Sequence, residues 1–208
     1  ISASLVGSEM CIRDRSKGDF MTALVVAEHN NQDLKPVTLN TVTAALGLDQ
    51  DVHILIAGNA CSAVAEEAAK VSGVAKVLLV ESGAYENFLA ENIATLVSNI
   101  SGDYDFILAP TTTNGKNVMP RVAALQDVSQ ISDISAIESS DTFQRPIYAG
   151  NCIATVKSND SKKIITVRNT AFDAADATGG SAEIITLEEI NDAGISKFVK
   201  EEIAESDR

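Results

Sequence analysis

Several residue types are scarce in this 208-residue chain, and each shortage removes a class of function. Tryptophan is absent and only three tyrosines occur, so the chain lacks the aromatic platforms on which single-stranded nucleic acids stack. Basic residues are also few, since 16 lysines and arginines stand against 29 acidic residues and give a formal charge of −13. Such a chain repels a phosphate backbone unless a local basic stripe offsets its field, and no such stripe occurs. We therefore expect no nucleic-acid partner.

Long apolar runs are missing as well. None approaches the roughly 18 residues that suggest a membrane-spanning helix, so we expect no membrane insertion. The 45% apolar content is ordinary for a soluble globular protein, and the length suffices for one domain with a substantial core.

Cysteine and histidine are too few and too scattered for a disulfide framework or a metal site. The three cysteines, Cys11, Cys61 and Cys152, form no C-x-x-C pair, and the two histidines lie far apart in the sequence. Free thiols fit a reducing compartment, and together with the lack of a convincing targeting segment they predict a cytoplasmic location. We expect no metal site.

Residues 1–20 show neither helical nor strand periodicity, and a clean apolar run starts only at Met21. We interpret them as a non-native or disordered leader and exclude them from the fold. A targeting peptide is the alternative, but Glu9, Asp14 and Asp19 are unusual in a transit peptide, and no apolar segment precedes a small-residue cleavage site.

From Met21 onward, short apolar runs alternate with amphipathic stretches. Four runs have strand length and lie at residues 22–28, 51–57, 75–81 and 105–110. Helical patterns lie between them; in one, Leu89, Ile93, Leu96, Val97 and Ile100 form a single apolar stripe. This alternation predicts an α/β fold with an open, mostly parallel sheet and helices on both faces.

The pattern changes after residue 130. Four strand-like segments follow without an intervening helix, at residues 131–137, 143–149, 152–157 and 163–168. They predict a β-rich antiparallel extension that extends or borders the same sheet, with Gly150-Asn151 at a hairpin or a bulge. Residues 188–208 are acidic and have helical character, which predicts a helical linker.

The stretch "APTTTNGKNVMPR" (residues 109–121) has the form of a phosphate-binding loop, because a Thr-rich turn joins a strand to a helix. It is not a Walker A loop, since Pro110 stands where the first glycine is required and Asn117 where the hydroxyl is required. Two readings remain open. The loop binds a nucleotide at the carboxyl end of a parallel strand, or its Thr and Asn side chains only cap the helix while Lys116 is solvated.

No catalytic arrangement is evident in the sequence. Neither G-x-S-x-G nor H-E-x-x-H occurs. Cys61 precedes a helical pattern, where the helix dipole could stabilise a thiolate, but without a neighbouring histidine we expect a buried, inert thiol. We therefore predict a protein that is not an enzyme.

Several stretches taken together resemble one known family. "LVVAEHNNQDLKPVTLNTVTAA", "QISDISAIES", "DTFQRPIYAGNCIATVKS" and "ITVRNTAFDAA" resemble the N-terminal domain of the alpha subunit of electron transfer flavoproteins. The resemblance runs from Thr22 to Arg208. It implies a Rossmann-type, three-layer fold similar to that of the adenine nucleotide alpha hydrolases.

The family also implies a function. Its members are heterodimers of alpha and beta subunits that carry electrons from acyl-CoA and other dehydrogenases to a quinone oxidoreductase. The resemblance implies FAD in a C-terminal domain of the parent protein, AMP in the beta subunit and no cofactor in this fragment. Residues 21–187 would form the N-terminal domain, and residues 188–208 the linker toward the FAD domain.

The resemblance further implies that this fragment serves as a scaffold and docking platform for the beta subunit. Candidate contacts with the beta subunit or the FAD domain are Lys116, Asn117, Arg121 and Arg168, with Arg168 pairing Asp173 or Asp176 as the alternative. The competing hypothesis is an autonomous adenine-nucleotide-binding module that uses residues 110–117. An enzyme acting through Cys61 is the third possibility.

Overall fold

The computed structural model describes residues 22–48, 51–188 and 190–202. The leader at residues 1–20 therefore lies outside the described residues. The strands are β1 (Thr22–Val26), β2 (Asp51–Gly58), β3 (Val74–Glu81), β4 (Phe106–Pro110), β5 (Gln130–Ile134), β6 (Ala136–Ser139), β7 (Thr142–Ile147), β8 (Cys152–Lys157), β9 (Lys163–Val167) and β10 (Glu183–Thr186). The α-helices are α1 (Pro36–Leu46), α2 (Ser62–Ala69), α3 (Ala90–Ile100) and α4 (Thr113–Leu125).

Within the described ranges, seven strands form one sheet in the order β10-β3-β2-β1-β4-β9-β5. Every neighbouring pair in this sheet is parallel. The predicted open parallel sheet is confirmed. Its strands are rich in Val, Ile and Leu with little polar alternation, which is typical of strands covered on both faces.

The helices cover both faces of the sheet, as predicted. One apolar cluster joins α1 and α2 to the sheet, with Val42 and Val64 fully buried in it. The second joins α3 and α4 to the opposite face, with Ile93 and Val122 fully buried. The result is a three-layer α/β architecture.

The β-rich segment after residue 130 divides between two sheets. Strands β5 and β9 enter the main sheet as parallel strands, and β6, β7 and β8 form a separate antiparallel sheet. Phe143 of β7 is fully buried in the cluster on the α1 and α2 face, so the small sheet packs on that side. The extension was therefore predicted, but its separation into a second sheet was not.

The predicted helical linker at residues 188–208 is wrong for the part that the structure describes. Strand β10 adds a parallel strand beside β3, and residues 190–202 beyond it contain no helix. The backbone N–H groups of Asn191 and Ala193 donate to the Tyr85 hydroxyl and the Asn92 carboxamide, at 2.8 and 2.9 Å. Because these donors bond side chains on another element, they do not enter a helical ladder. This tail therefore lies along α3.

Candidate functional site at the carboxyl edge

The chain reverses direction across the sheet between β1 and β4. From β1 it continues to β2 and β3 on one side, whereas β4 leads to β5 and β9 on the other. Ligands of open α/β folds bind outside the carboxyl ends of the strands at such a point. Residues 111–117 follow β4 at this edge, as a two-residue turn and the first residues of α4.

The Thr-rich loop caps its own helix. Thr112 has extended backbone angles, and its Oγ1 accepts a hydrogen bond of 3.2 Å from the N–H of Gly115. The backbone carbonyl of Thr112 accepts from Lys116 N–H at 2.9 Å. Donors that a phosphate would use are thereby partly satisfied within the loop. Lys116 itself is exposed, as the capping alternative predicts.

The cleft at the crossover point is almost filled. Its residual volume is about 10 Å³. Ligand pockets usually enclose about 300 Å³ or more, so a nucleotide does not fit without displacing side chains. The walls come from β1, β4, α4 and the turn before α3, and they include Glu28, Phe88, Pro110 and Gly115.

Gly115 brings helix α4 against the end of β4. A Cβ atom added to residue 115 would stand 2.0 Å from the backbone oxygen of Pro110. The glycine therefore serves close contact between helix and strand, and does not open a space for a phosphate.

Glu28 places a carboxylate in the same cleft. The residue is only 8% exposed, and its Oε1 accepts from Lys35 Nζ at 3.0 Å. Its Oε2 is buried and has no hydrogen-bond partner among the described residues. A carboxylate at this position repels the phosphates of a nucleotide.

Asn31 joins three loops at the carboxyl edge. Its side-chain oxygen accepts from the N–H of Asn59 at 3.1 Å, and its amide donates to the carbonyl of Glu86 at 2.9 Å. Its backbone lies in the left-handed region, with φ 69°, which asparagine tolerates better than most residues. Gly58 allows this approach, since a Cβ there would stand 2.2 Å from Asn31 Oδ1. The edge is thus braced by the chain's own polar groups.

Cys61 is fully buried just before α2. Burial, followed by the nearby Glu81 carboxylate, raises the pKa of its thiol to about 11. The Glu81 Oε1 atom accepts from the Cys61 N–H at 2.7 Å, which holds the carboxylate close. The geometry therefore favours the protonated thiol and gives no support to a nucleophile at this position.

Two of the four predicted contact residues lie together. Arg121 Nη1 donates to the side-chain oxygen of Asn117 at 2.5 Å, and Nη2 donates to Glu91 Oε1 at 3.1 Å across to α3. Ser196 of the tail donates to the other oxygen of Glu91 at 2.9 Å. Lys116 is exposed and forms no ion pair with any described residue.

Arg168 pairs with Asp133, so the predicted pairing with Asp173 or Asp176 is wrong. Its Nε and Nη2 donate to Asp133 Oδ2 at 3.1 and 2.5 Å. Parallel pairing of β5 and β9 brings the two residues together although 35 positions separate them. Asp133 lies at a register shift in β5 with φ 57°, and its N–H donates to Thr166 Oγ1 at 2.8 Å. The ion pair therefore fastens an irregular strand.

Sequence reasoning did not identify Glu28, Asn31 or Phe88 as part of this site. Their contacts span loops that are distant in sequence, and no short motif records them. The run "EHNNQD" after β1 could have indicated these residues. Polar residues directly after a parallel strand lie at the carboxyl edge of the sheet, where ligands of such folds bind.

Two further observations bear on function. Among the described residues, no group of three or more His, Cys, Asp and Glu side chains could hold a metal ion. None of the described helices has both the length and the apolar character needed to cross a membrane.

The fold and this edge define a doubly wound α/β protein whose ligand position is filled by its own side chains. The family model described as "Electron transfer flavoprotein domain" matches residues 23–192. The chain belongs to the electron transfer flavoprotein family.

Individual relatives agree with this assignment. The chain is 56% identical over 188 residues to the electron transfer flavoprotein subunit alpha of Pseudomonas aeruginosa, covering 90% of this chain and 61% of that protein. The corresponding subunit of Paracoccus denitrificans is 50% identical over the same shares. A mitochondrial alpha subunit of Dictyostelium discoideum is 45% identical, over 89% of this chain and 55% of its own length. The chain thus spans about three fifths of the length of its bacterial relatives.

The family name implies a flavin, and the described carboxyl edge does not fit one. The small residual volume, the Gly115 contact with Pro110 and the Glu28 carboxylate all oppose a dinucleotide there.

Proposed function

We propose that this chain is the N-terminal part of an electron transfer flavoprotein alpha subunit and acts as a scaffold on which the beta subunit docks. The filled ligand position supports this proposal most directly. A sheet of the nucleotide-binding type whose cleft is closed by its own side chains can serve as a rigid surface for a partner, but it has no room for a nucleotide. The 56% identity to an electron transfer flavoprotein alpha subunit is the reason for proposing a beta subunit as the partner.

The parent protein in this proposal is an electron carrier and not an enzyme. It would receive electrons from acyl-CoA and other dehydrogenases, in fatty acid β-oxidation among other routes, and pass them to a quinone oxidoreductase. FAD would be held outside the described residues, and AMP in the beta subunit. A cytoplasmic location is consistent with the free thiols of Cys61 and Cys152.

The polar contacts in this proposal include Lys116, Asn117, Arg121 and Arg168. Three of them carry positive charge in a chain with an overall charge of −13, so they offer local attraction for an acidic partner surface. Arg121 and Arg168 are each about two fifths exposed, which leaves their guanidinium groups accessible beside their internal partners.

Sedimentation equilibrium with a recombinant beta subunit of a bacterial electron transfer flavoprotein tests the proposal. We expect a 1:1 complex, and we expect Lys116→Glu to weaken it. Lys76→Glu is the matched control, since Lys76 lies at the start of β3, at the opposite end of the strands from residue 116. If the wild-type chain and the beta subunit sediment separately at micromolar concentration, the proposed docking function is wrong.

A further inference from the structure

The hairpin formed by β7 and β8 has an unusual surface. Its 16 residues, Thr142–Lys157, contain Arg145 and Lys157 but no acidic residue, in a chain with 29 aspartates and glutamates. Surface segments of such an acidic chain usually share its charge. This hairpin is therefore a local exception to the overall field.

Both faces of the hairpin tip expose apolar side chains. Successive strand residues point to opposite faces, so Ile147 and Ile153 lie on different faces, because Ile153 is paired with Pro146. Ile153 is 58% exposed, and Tyr148 in the connecting turn is 80% exposed. A hairpin that is apolar on both faces and at its turn suits insertion into a groove better than contact with a flat surface.

The turn has a strained backbone. Tyr148 and Ala149 both have φ 52°, and Gly150 follows with φ 90°. The left-handed region costs a residue with a side chain roughly 1–2 kcal/mol, and such strain clusters at functional positions. Here it directs the tyrosine ring into solvent.

Arg145 lies behind the tip without an internal partner. Its Nε is buried, and no described residue accepts a hydrogen bond from it. The side chain borders an open cleft of about 360 Å³ between the small sheet and β5. Lys157 on the same cleft is already paired with Asp141 at 2.9 Å, and Asp160 accepts from the N–H of Ser129. Of the two cations that border this cleft, Arg145 is therefore the one without a carboxylate partner among the described residues.

We propose that the β7–β8 hairpin is the element that inserts into the partner subunit. The partner supplies an apolar groove for Tyr148 and Ile153 and a carboxylate for Arg145. A carboxylate is required because a guanidinium with a buried, unsatisfied N–H gains most from a charged acceptor. A second copy of this chain is a poor occupant, since two chains of charge −13 repel each other. The inference rests on the proposed function for the identity of the partner.

Titration calorimetry of the full chain with the recombinant beta subunit tests this assignment. Tyr148→Ser combined with Ile153→Ser, and separately Arg145→Gln, should each weaken binding at least tenfold, because buried aromatic and arginine contacts dominate interfaces. Ile184→Ser is the matched control: Ile184 is 38% exposed, and it lies on β10, at the opposite edge of the seven-stranded sheet from β5 and away from the proposed contact residues on α4. That variant should bind within twofold of wild type. Thermal melting of each variant establishes that it is folded.

The outcomes separate the two proposals. If the wild-type chain does not bind the beta subunit, the docking function is wrong and the hairpin assignment with it. If the wild-type chain binds and both hairpin variants bind equally well, only the hairpin assignment is wrong. Self-association that the hairpin variants abolish, or phosphate binding that requires Arg145 while the beta subunit is unaffected, would also overturn it.

Discussion

Gly115 and the backbone carbonyl of Pro110 are in such close contact that a single added methyl group would stand 2.0 Å from the oxygen. This contact seats the first turn of α4 on the end of β4 and closes the position where related folds bind ligands. The closed edge and the likeness to alpha subunits both support the proposal that this sheet is a scaffold.

Gly115→Ala should destabilise the chain. Alanine normally favours a helix over glycine by about 1 kcal/mol, but here its Cβ would collide with backbone and force α4 away from β4. We expect a loss of about 1–3 kcal/mol in the free energy of unfolding, measured by urea denaturation. Gly83→Ala is the control, because nothing lies within 4 Å of a Cβ there. Equal stability of Gly115→Ala and wild type would refute the packing role.

The Arg168–Asp133 pair should show a modest, salt-dependent coupling. Both side chains are partly exposed, at 41 and 24%, so solvent screens the pair. A double-mutant cycle of Arg168→Gln and Asp133→Asn should give about 0.2–1 kcal/mol at low salt and less at 1 M salt. Asparagine retains tolerance for the left-handed backbone of residue 133. A coupling of zero at low salt would mean that the bulge in β5 is held without this pair.

Asn92 should fasten the tail to α3. It is 2% exposed, its amide donates to the Ala84 carbonyl at 2.9 Å, and its oxygen accepts from the N–H of Ala193. Asn92→Ala removes the hydrogen bonds to these two partly buried backbone groups, which should cost about 1–3 kcal/mol and speed hydrogen exchange at Ala193. Asn99→Ala, at an exposed position of the same helix, is the control. Unchanged exchange at Ala193 in the Asn92 variant would argue against this attachment.

Stability should fall as the pH decreases below about 6.5. Burial lowers the pKa of His29, and its Nδ1 accepts a hydrogen bond from the N–H of Asn31. A lowered pKa means that the unfolded chain binds a proton that the folded chain refuses, so stability is complete above the unfolded pKa and declines below it.

Burial also lowers the pKa of His53, whose Nδ1 lies 2.8 Å from the Tyr104 hydroxyl. Below a pH of about 6.5, each histidine can lower the free energy of unfolding by up to about 1.4 kcal/mol per pH unit. Urea midpoints at pH 7 and 5.5 measure the combined loss of stability from both histidines. His53→Gln should remove the part of this pH dependence that His53 contributes. A midpoint that rises toward pH 5.5 would contradict both assignments.

The sequence predicted the parts of the fold that depend on local pattern. Strands β1 to β4 and the stripe on α3 followed from apolar runs and helical spacing, because each element buries one recognisable face. The glycines that permit close approach were visible as residues, but what they approach was not.

The remaining features depend on contacts between distant segments. Arg168 meets Asp133 only after β9 enters the sheet beside β5, and no spacing rule indicates that pairing. The tail reads as a helix from its composition, yet side chains of Tyr85 and Asn92 bind its backbone donors. Phe88 reaches the cleft through a left-handed backbone, with φ 51°, which sequence pattern does not reveal for a phenylalanine.

The chain's own side chains close the nucleotide position at the carboxyl edge of the sheet. Calorimetric titration of the purified chain with FAD, AMP and ATP tests it most directly. We predict no saturable heat at millimolar concentration of any of the three. Binding of one of them at 1:1 stoichiometry, abolished by substitution of Asn114 or Lys116 in the loop, would show that the edge is an adenine-nucleotide site and contradict the account.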